Sequence, residues 1–185
     1  GVLGVTGPPY RTYFDGAHFV LFALGRATVA LAVPVYRHRA LIRAKLAPIL
    51  AALAAGAVTA IVSAVAVAAV FGAPEPVLKA LAPKSVTAGI AMGISESIGG
   101  EPALTAVLVI ATGIIGAIMV TPLMNRLGIR DYAARGFAVG LASHGIGTAR
   151  AFQVDSVAGT FAGLAMALNG LVTALLVPLL IRLLP

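Results

Sequence analysis

No cysteine and no tryptophan occur in the 185 residues, and only 10% of them are charged. Without cysteine the chain can form no disulfide, thiolate metal site or redox pair. Its three dispersed histidines do not make a metal motif instead. Phosphate loops and strand-turn-helix settings for a nucleophile are also missing. We therefore assign no catalytic residue, metal or cofactor, and the chain is not expected to be an enzyme. Scarcity of charge excludes more. A soluble domain carries about 25% charged residues, so this chain has too little polar surface to solvate a globule. Acidic residues are scarcest, six against thirteen Lys and Arg, for a net charge of +7. Such a balance suits nucleic acid only when a basic patch sits on a water-soluble scaffold. Here the cations fall between apolar runs, so nucleic acid is not expected as a partner.

What is abundant is hydrocarbon. Sixty percent of the residues are hydrophobic and the mean hydropathy is +1.04, against roughly 45–50% apolar content in a soluble domain. The surplus must face lipid, and the fold expected is an all-α, polytopic membrane protein. Two basic clusters, Arg37, His38, Arg39, Arg43 and Lys45, then Arg126, Arg130 and Arg135, read as positive-inside loops. The expected location is a bacterial inner (plasma) membrane, crossed several times. Gly1-Val2-Leu3-Gly4-Val5-Thr6-Gly7 reads like the tail of a hydrophobic segment already under way. We expect one transmembrane domain over 1–185, lacking an N-terminal hydrophobic segment.

Along the chain, residues 17–35 form a first apolar run interrupted by Arg26, a costly residue at membrane depth. Residues 46–71 carry no charge and make the cleanest transmembrane helix. Gly72-Ala73-Pro74-Glu75-Pro76 then bars helix continuation. Pro83 suits a first helical position, and 85–98 is apolar but too short to span. Residues 103–123 are long enough, 134–150 is again short and interrupted by polar residues, and 157–184 is a last long segment. If both basic clusters share one side, 46–71 leaves it and 103–123 returns. The short element between must then enter and leave on one face, as a re-entrant or broken helix. Gly89, Ala91, Gly93, Gly100 and Gly116 recur 47 positions later as Gly136, Ala138, Gly140, Gly147 and Gly163, the kind of internal repeat transporters show. In all, five to seven hydrophobic elements are expected, two of them short and broken.

Polar residues concentrate in the two short elements: Ser85, Thr87, Ser95, Glu96 and Ser97 in one, Ser143, His144, Thr148 and Arg150 in the other. An unpaired polar group in hydrocarbon costs several kcal/mol, roughly, so these residues need partners or a wetted cavity. Gly99 and Gly100, and Gly145 and Gly147, are the expected helix breaks. Exposed N–H groups of half-helices suit a small carboxylate. Ser85, Thr87, Ser95, Ser143, His144, Thr148 and Asn169 are the expected substrate contacts. Arg150 would balance the charge, and Glu96 or His144 would carry a coupled proton. Blander roles stand beside each. Gly89, Gly93 and Ser97, like Gly136, Gly140 and His144, fall at four-residue spacing that suits helix packing. Glu96 fits the membrane surface, His144 a packed core and Arg150 an interfacial anchor, and Asn169 could bond a neighbouring helix.

At these residues the sequence resembles the LrgB/CidB family. The matching stretches are Pro83-Lys84-Ser85-Val86-Thr87, Ile94-Ser95-Glu96-Ser97-Ile98-Gly99-Gly100, Pro102-Ala103-Leu104-Thr105-Ala106-Val107 and Ala142-Ser143-His144-Gly145-Ile146-Gly147-Thr148-Ala149-Arg150-Ala151. Gly163-Leu164-Ala165-Met166, Leu168-Asn169-Gly170 and Ala27-Thr28-Val29-Ala30-Leu31-Ala32-Val33-Pro34 add further blocks. Arg26 stands where the family tends to have proline, and Ala88-Gly89 where it tends to have Thr-Pro. The resemblance implies a membrane component working with a small LrgA/CidA-type holin-like partner. It further implies carriage of small monocarboxylates of the pyruvate, glycolate and glycerate class, as in plastid glycolate/glycerate translocators. The alternative it implies is a holin/antiholin-type regulator of murein hydrolase activity and lysis that transports nothing. The expected assembly is a homo-oligomer, a dimer.

Overall fold

The computed structural model describes Val29 and residues 32–182. Arg26 and most of the 17–35 run lie outside the described residues. The described chain is helical throughout: α1 (Ala32–Arg37), α2 (Arg39–Ala44), α3 (Leu46–Val70), α4 (Glu75–Leu81), α5 (Ala88–Ser97), α6 (Pro102–Arg126), α7 (Tyr132–Val154) and α8 (Ser156–Ile181). Helices α3, α6 and α8 are long and apolar enough to cross a bilayer. At 25 residues, α3 is about 37 Å long against a hydrocarbon core of about 30 Å. The most apolar window of α6 is only 17% buried within the protein. Ile118 on α6 and Leu175 on α8 are 68% and 77% exposed, and rows of such side chains are stable only against lipid.

The helices share two ends. Lys45 before α3 is paired with Asp131 before α7, and Arg135 of α7 donates to the Asn125 side chain near the end of α6. His38, between α1 and α2, meets Thr160 near the start of α8 at 3.1 Å. Arg37, Arg39, Arg43, Lys45, Arg126, Arg130 and Arg135 gather here, at what we call the basic end. At the opposite end Ile61 and Val65 of α3 pack with Leu78 of α4 and Val177 of α8, and Thr105 of α6 donates to the Ala80 carbonyl at 3.0 Å.

Three helices stop by one device. The N–H of Gly100 bonds the Ser95 carbonyl at 2.8 Å and that of Gly99 the Glu96 carbonyl at 3.2 Å. Gly99 has φ +74, the left-handed residue of a Schellman cap. Gly72 and Gly128 close α3 and α6 with the same bonds. Opposite charge chemistry starts the helices after the loops: Asp131 and Asp155 accept from the first backbone N–H groups of α7 and α8, at 2.7 Å for Ala133 and Val157.

Both short elements are re-entrant. Helix α4 lies at the end opposite the basic one, the turn at Pro83–Thr87 dips inward, and α5 returns to where α6 begins. Pro83 lies in that turn rather than at a helix start, which falls at Ala88. Helix α7 is longer than the expected 134–150, but it is not one rod. Ser143 (φ −130, ψ 17) and His144 (φ 42, ψ −133) interrupt it. A Cβ on Gly147 would stand 2.8 Å from the carbonyl oxygen of Val139, a closeness that eight helical residues, about 12 Å of rise, would forbid. The second half therefore folds back along the first, and both ends of α7 lie at the basic end.

Two hairpins thus enter from opposite ends, each followed by a full span. The 47-residue match does not align them. Tyr132 lies 57 positions after Glu75, and Val154 lies 57 after Ser97, so the hairpins correspond at that offset. The glycines paired at 47 have different surroundings. A Cβ on Gly136 or Gly140 would collide with the carbonyls of Ala158 and Ala162 of α8, whereas Gly89 and Gly93 face open space. Close packing by small residues therefore applies to Gly136 and Gly140 and not to Gly89 and Gly93.

Candidate functional site

The hairpin tips meet near the middle of the bundle. A cleft of about 390 Å³ is lined by Lys84 and Ser85 from the first tip, Ala142 and Ser143 from the second, Ala60 of α3, and Thr112, Ile115 and Gly116 of α6. Ala60, Thr112 and Gly116 sit near the midpoints of their helices, so the cleft lies at mid-span depth. Ser85 and Ser143 are buried, 6% and 1% exposed. Lys84 is half-buried, and its Nζ donates to Ser85 Oγ at 3.1 Å. It is the one charged side chain among the cleft's lining residues, and among the described residues it has no carboxylate within ion-pair distance.

Local backbone chemistry builds this crossing. The break at Ser143 and His144 deprives the last carbonyls of the first half-helix of their helical donors. Asn169, buried in mid-α8, replaces one of them: its Nδ2 donates to the Leu141 carbonyl at 3.0 Å and to the Ser85 carbonyl at 3.4 Å. Its Oδ1 accepts from Thr173 Oγ1 at 3.2 Å. Asn169 therefore ties both tips to one span. His144 Nε2 donates to the Val109 carbonyl at 2.9 Å, and Thr148 Oγ1 donates to the His144 carbonyl at 2.7 Å. Glycines on α6 make room for the second tip. A Cβ on Gly116 would land on Ser143 Oγ, and one on Gly113 would stand 2.7 Å from His144 Cε1. Among the described residues every buried side-chain nitrogen and oxygen has a partner, as a structure in lipid requires.

The structure thus divides the expected site residues. Ser85 and Ser143 line the cleft. Thr87 is the N-cap of α5, at the inner end of the first hairpin. His144, Thr148 and Asn169 bond backbone carbonyls around the crossing. Ser95 lies elsewhere, its hydroxyl hydrogen-bonded to that of Thr105 at 2.8 Å in a buried knot of α4, α5 and α6. Glu96 is exposed on α5, outside the cleft's lining. Arg150 is exposed at the basic end, in a shallow depression beside Tyr132 and Arg135. Of the expected breaks, Gly99 ends α5 and Gly100 packs on Ser95 and Ala80. Gly145 and Gly147 are a correction: both keep helical backbone, and the break falls at Ser143 and His144. The bond from His144 to the Val109 carbonyl helps hold His144 at a positive φ that its side chain disfavours. Lys84 and Thr112 were missed. Lys84 does carry a signal in the sequence, as a lone cation inside an apolar, serine-bearing element.

Outside the spans, the Lys45 ammonium hydrogen-bonded to Asp131 holds that carboxyl below the usual carboxylate range, with the Ala134 and Ala133 N–H groups assisting against partial desolvation.

The LrgB-like family model matches residues 1–183. The Bacillus subtilis protein YwbG, uncharacterized, is 35% identical over 98% of this chain and 80% of its own length. The Holin-like protein CidB of Staphylococcus epidermidis is 32% identical, and that of Staphylococcus aureus 31%, with the same coverage. No solved structure matches the chain. With three membrane-length helices among the described residues and a family match over nearly its full length, this membrane protein belongs to the LrgB-like family.

Proposed function

We propose that the protein is the substrate-carrying component of a membrane transporter for small monocarboxylates, the pyruvate, glycolate and glycerate class, and that it works with an LrgA/CidA-type partner. One observation carries the reading: two re-entrant tips meet at mid-span in a cleft that holds a cation with no carboxylate beside it. A lone intramembrane cation is retained where an anion comes to it. A cleft of about 390 Å³ has room for a three-carbon acid. Lys84 would balance the carboxylate, in place of Arg150. Ser85, Ser143 and Thr112 would donate hydroxyls to the carboxylate or its 2-substituent. Arg150, beside Arg135 at the basic end, would attract anions to the mouth. The positive-inside tendency puts that end in the cytoplasm of a bacterial inner membrane. Opposed hairpins that meet at the midplane are the architecture through which alternating access works in repeat-built carriers.

Full-length protein in liposomes, with and without its partner, should take up labelled pyruvate or glycolate with saturation. Uptake equal to that of empty vesicles would overturn the reading. The name Holin-like protein CidB, borne by the staphylococcal relatives, favours a second reading, the holin-type regulator of murein hydrolase activity that the family resemblance implies. If that role stands alone, Lys84→Gln will leave the protein's effect on cell lysis unchanged.

A further inference from the structure

We propose that Lys84 is the proton carrier of this cleft, charged while an anion is bound and neutral while the cleft is empty, so that each carboxylate crosses with one proton. The inference rests on the transport reading and deepens it.

Its ground is what surrounds the amine. From α3 the cleft receives Ala60, from α6 Thr112, Ile115 and Gly116, and from α7 Ala142 and Ser143. None of these is acidic or basic. His144 follows Ser143, but its Nε2 is held by the Val109 carbonyl and its ring lies against Gly113. Glu96 is exposed on α5. Among the described residues, the one hydrogen-bond partner of the ammonium is the neutral hydroxyl of Ser85. An unpaired ammonium at this depth is costly, and it can shed that cost in two ways, by pairing with an anion or by giving up a proton.

The cycle then balances. A bound carboxylate and the ammonium form a neutral pair. When the carboxylate leaves, the ammonium passes its proton to water and becomes an amine, and the empty carrier resets without net charge. On the other side the amine takes a proton from water before the next carboxylate binds. Each N–H bond broken is matched by an O–H bond made on water, with the reverse on the other side, and one proton travels with each anion. A single cation also selects for one negative charge, because a dicarboxylate would bring a second with nothing to pair it.

The test uses full-length protein in liposomes, labelled glycolate, and the variants Lys84→Arg and Lys84→Gln. Wild-type net uptake should follow an inward proton gradient and ignore an imposed potassium-diffusion potential. Arginine keeps its charge, so the empty carrier would have to reset with a buried cation. In Lys84→Arg, net uptake should fall at least about tenfold further than exchange of internal for external glycolate does. Lys84→Gln should lose both. Wild-type uptake that scales with the potential, or undiminished net uptake by Lys84→Arg, overturns the proton role and leaves transport standing. Absence of saturable glycolate exchange by the wild type overturns the transport reading and this one with it. Should Lys84→Arg prove misfolded by size-exclusion chromatography, the potential test on the wild type decides alone.

Discussion

The Asn169 side chain stands 3.0 Å from the Leu141 carbonyl, donating the hydrogen bond that the broken helix cannot supply itself. Removing the amide strands a buried carbonyl. Asn169→Ala should lower stability by about 1–3 kcal/mol, read as a drop in the thermal midpoint in detergent. Asn169→Asp keeps the acceptor for Thr173 but loses the donor, and should be at least as harmful. A midpoint unchanged in both variants would mean that the bond does not hold the tip.

Gly140 and Gly89 separate packing from pattern. A Cβ at Gly140 meets the Ala162 backbone, which cannot rotate away, whereas at Gly89 it meets nothing. Gly140→Ala should cost about 1–3 kcal/mol, and Gly89→Ala should be neutral or stabilising by up to about 1 kcal/mol. Thermal midpoints of the two purified variants, compared side by side, check the contrast. Equal losses would argue against it.

His144 adopts a positive φ of 42, a backbone state glycine enters freely and other residues resist. Both His144→Gly and His144→Ala lose the bond to Val109, but only glycine relieves the backbone. The glycine variant should therefore be the more stable of the two by about 1 kcal/mol or more. Unfolding curves for the pair measure it, and alanine ranking above glycine would contradict the geometry.

The Lys45 and Asp131 pair predicts a pH dependence. The Asp131 carboxyl is depressed in the folded protein, chiefly by its hydrogen bond from Lys45. Its contribution is therefore present above the unfolded value of about 3.9 and disappears as pH falls through the folded value. Wild type should exceed Asp131→Asn in stability at neutral pH, by a small margin because the pair is half exposed. The two should converge in acid. A gap that widens in acid would reverse the sign argued here.

Much of this fold was legible because lipid imposes simple rules. The uncharged run through α3 and the basic loops around Lys45 and Arg126 determine direction, and direction alone required the element between α3 and α6 to turn back. The turning point of α7 was not legible. Glycine is the usual local signal for a break, and Gly145 and Gly147 offered it. The break falls instead where Asn169, Val109, Gly113 and Gly116 hold Ser143 and His144 from outside, and such long-range contacts leave no local trace. The candidate site was half legible for the same reason. Ser85 and Ser143 stood out as polar residues in oil, but nothing in their spacing says that they share a cleft, or that Lys84 joins them and Arg150 does not.

Because Asn169 holds both tips, the order of synthesis matters. The ribosome releases the first hairpin long before α8 exists, and until that span arrives the Ser85 carbonyl lacks the Asn169 amide that meets it at mid-span. A nascent chain halted after α6 should therefore hold residues 75–97 at the bilayer surface, and the hairpin should sink to its final depth only when the last helix joins. Maturation of this protein in the membrane is in that sense governed from its C-terminal third.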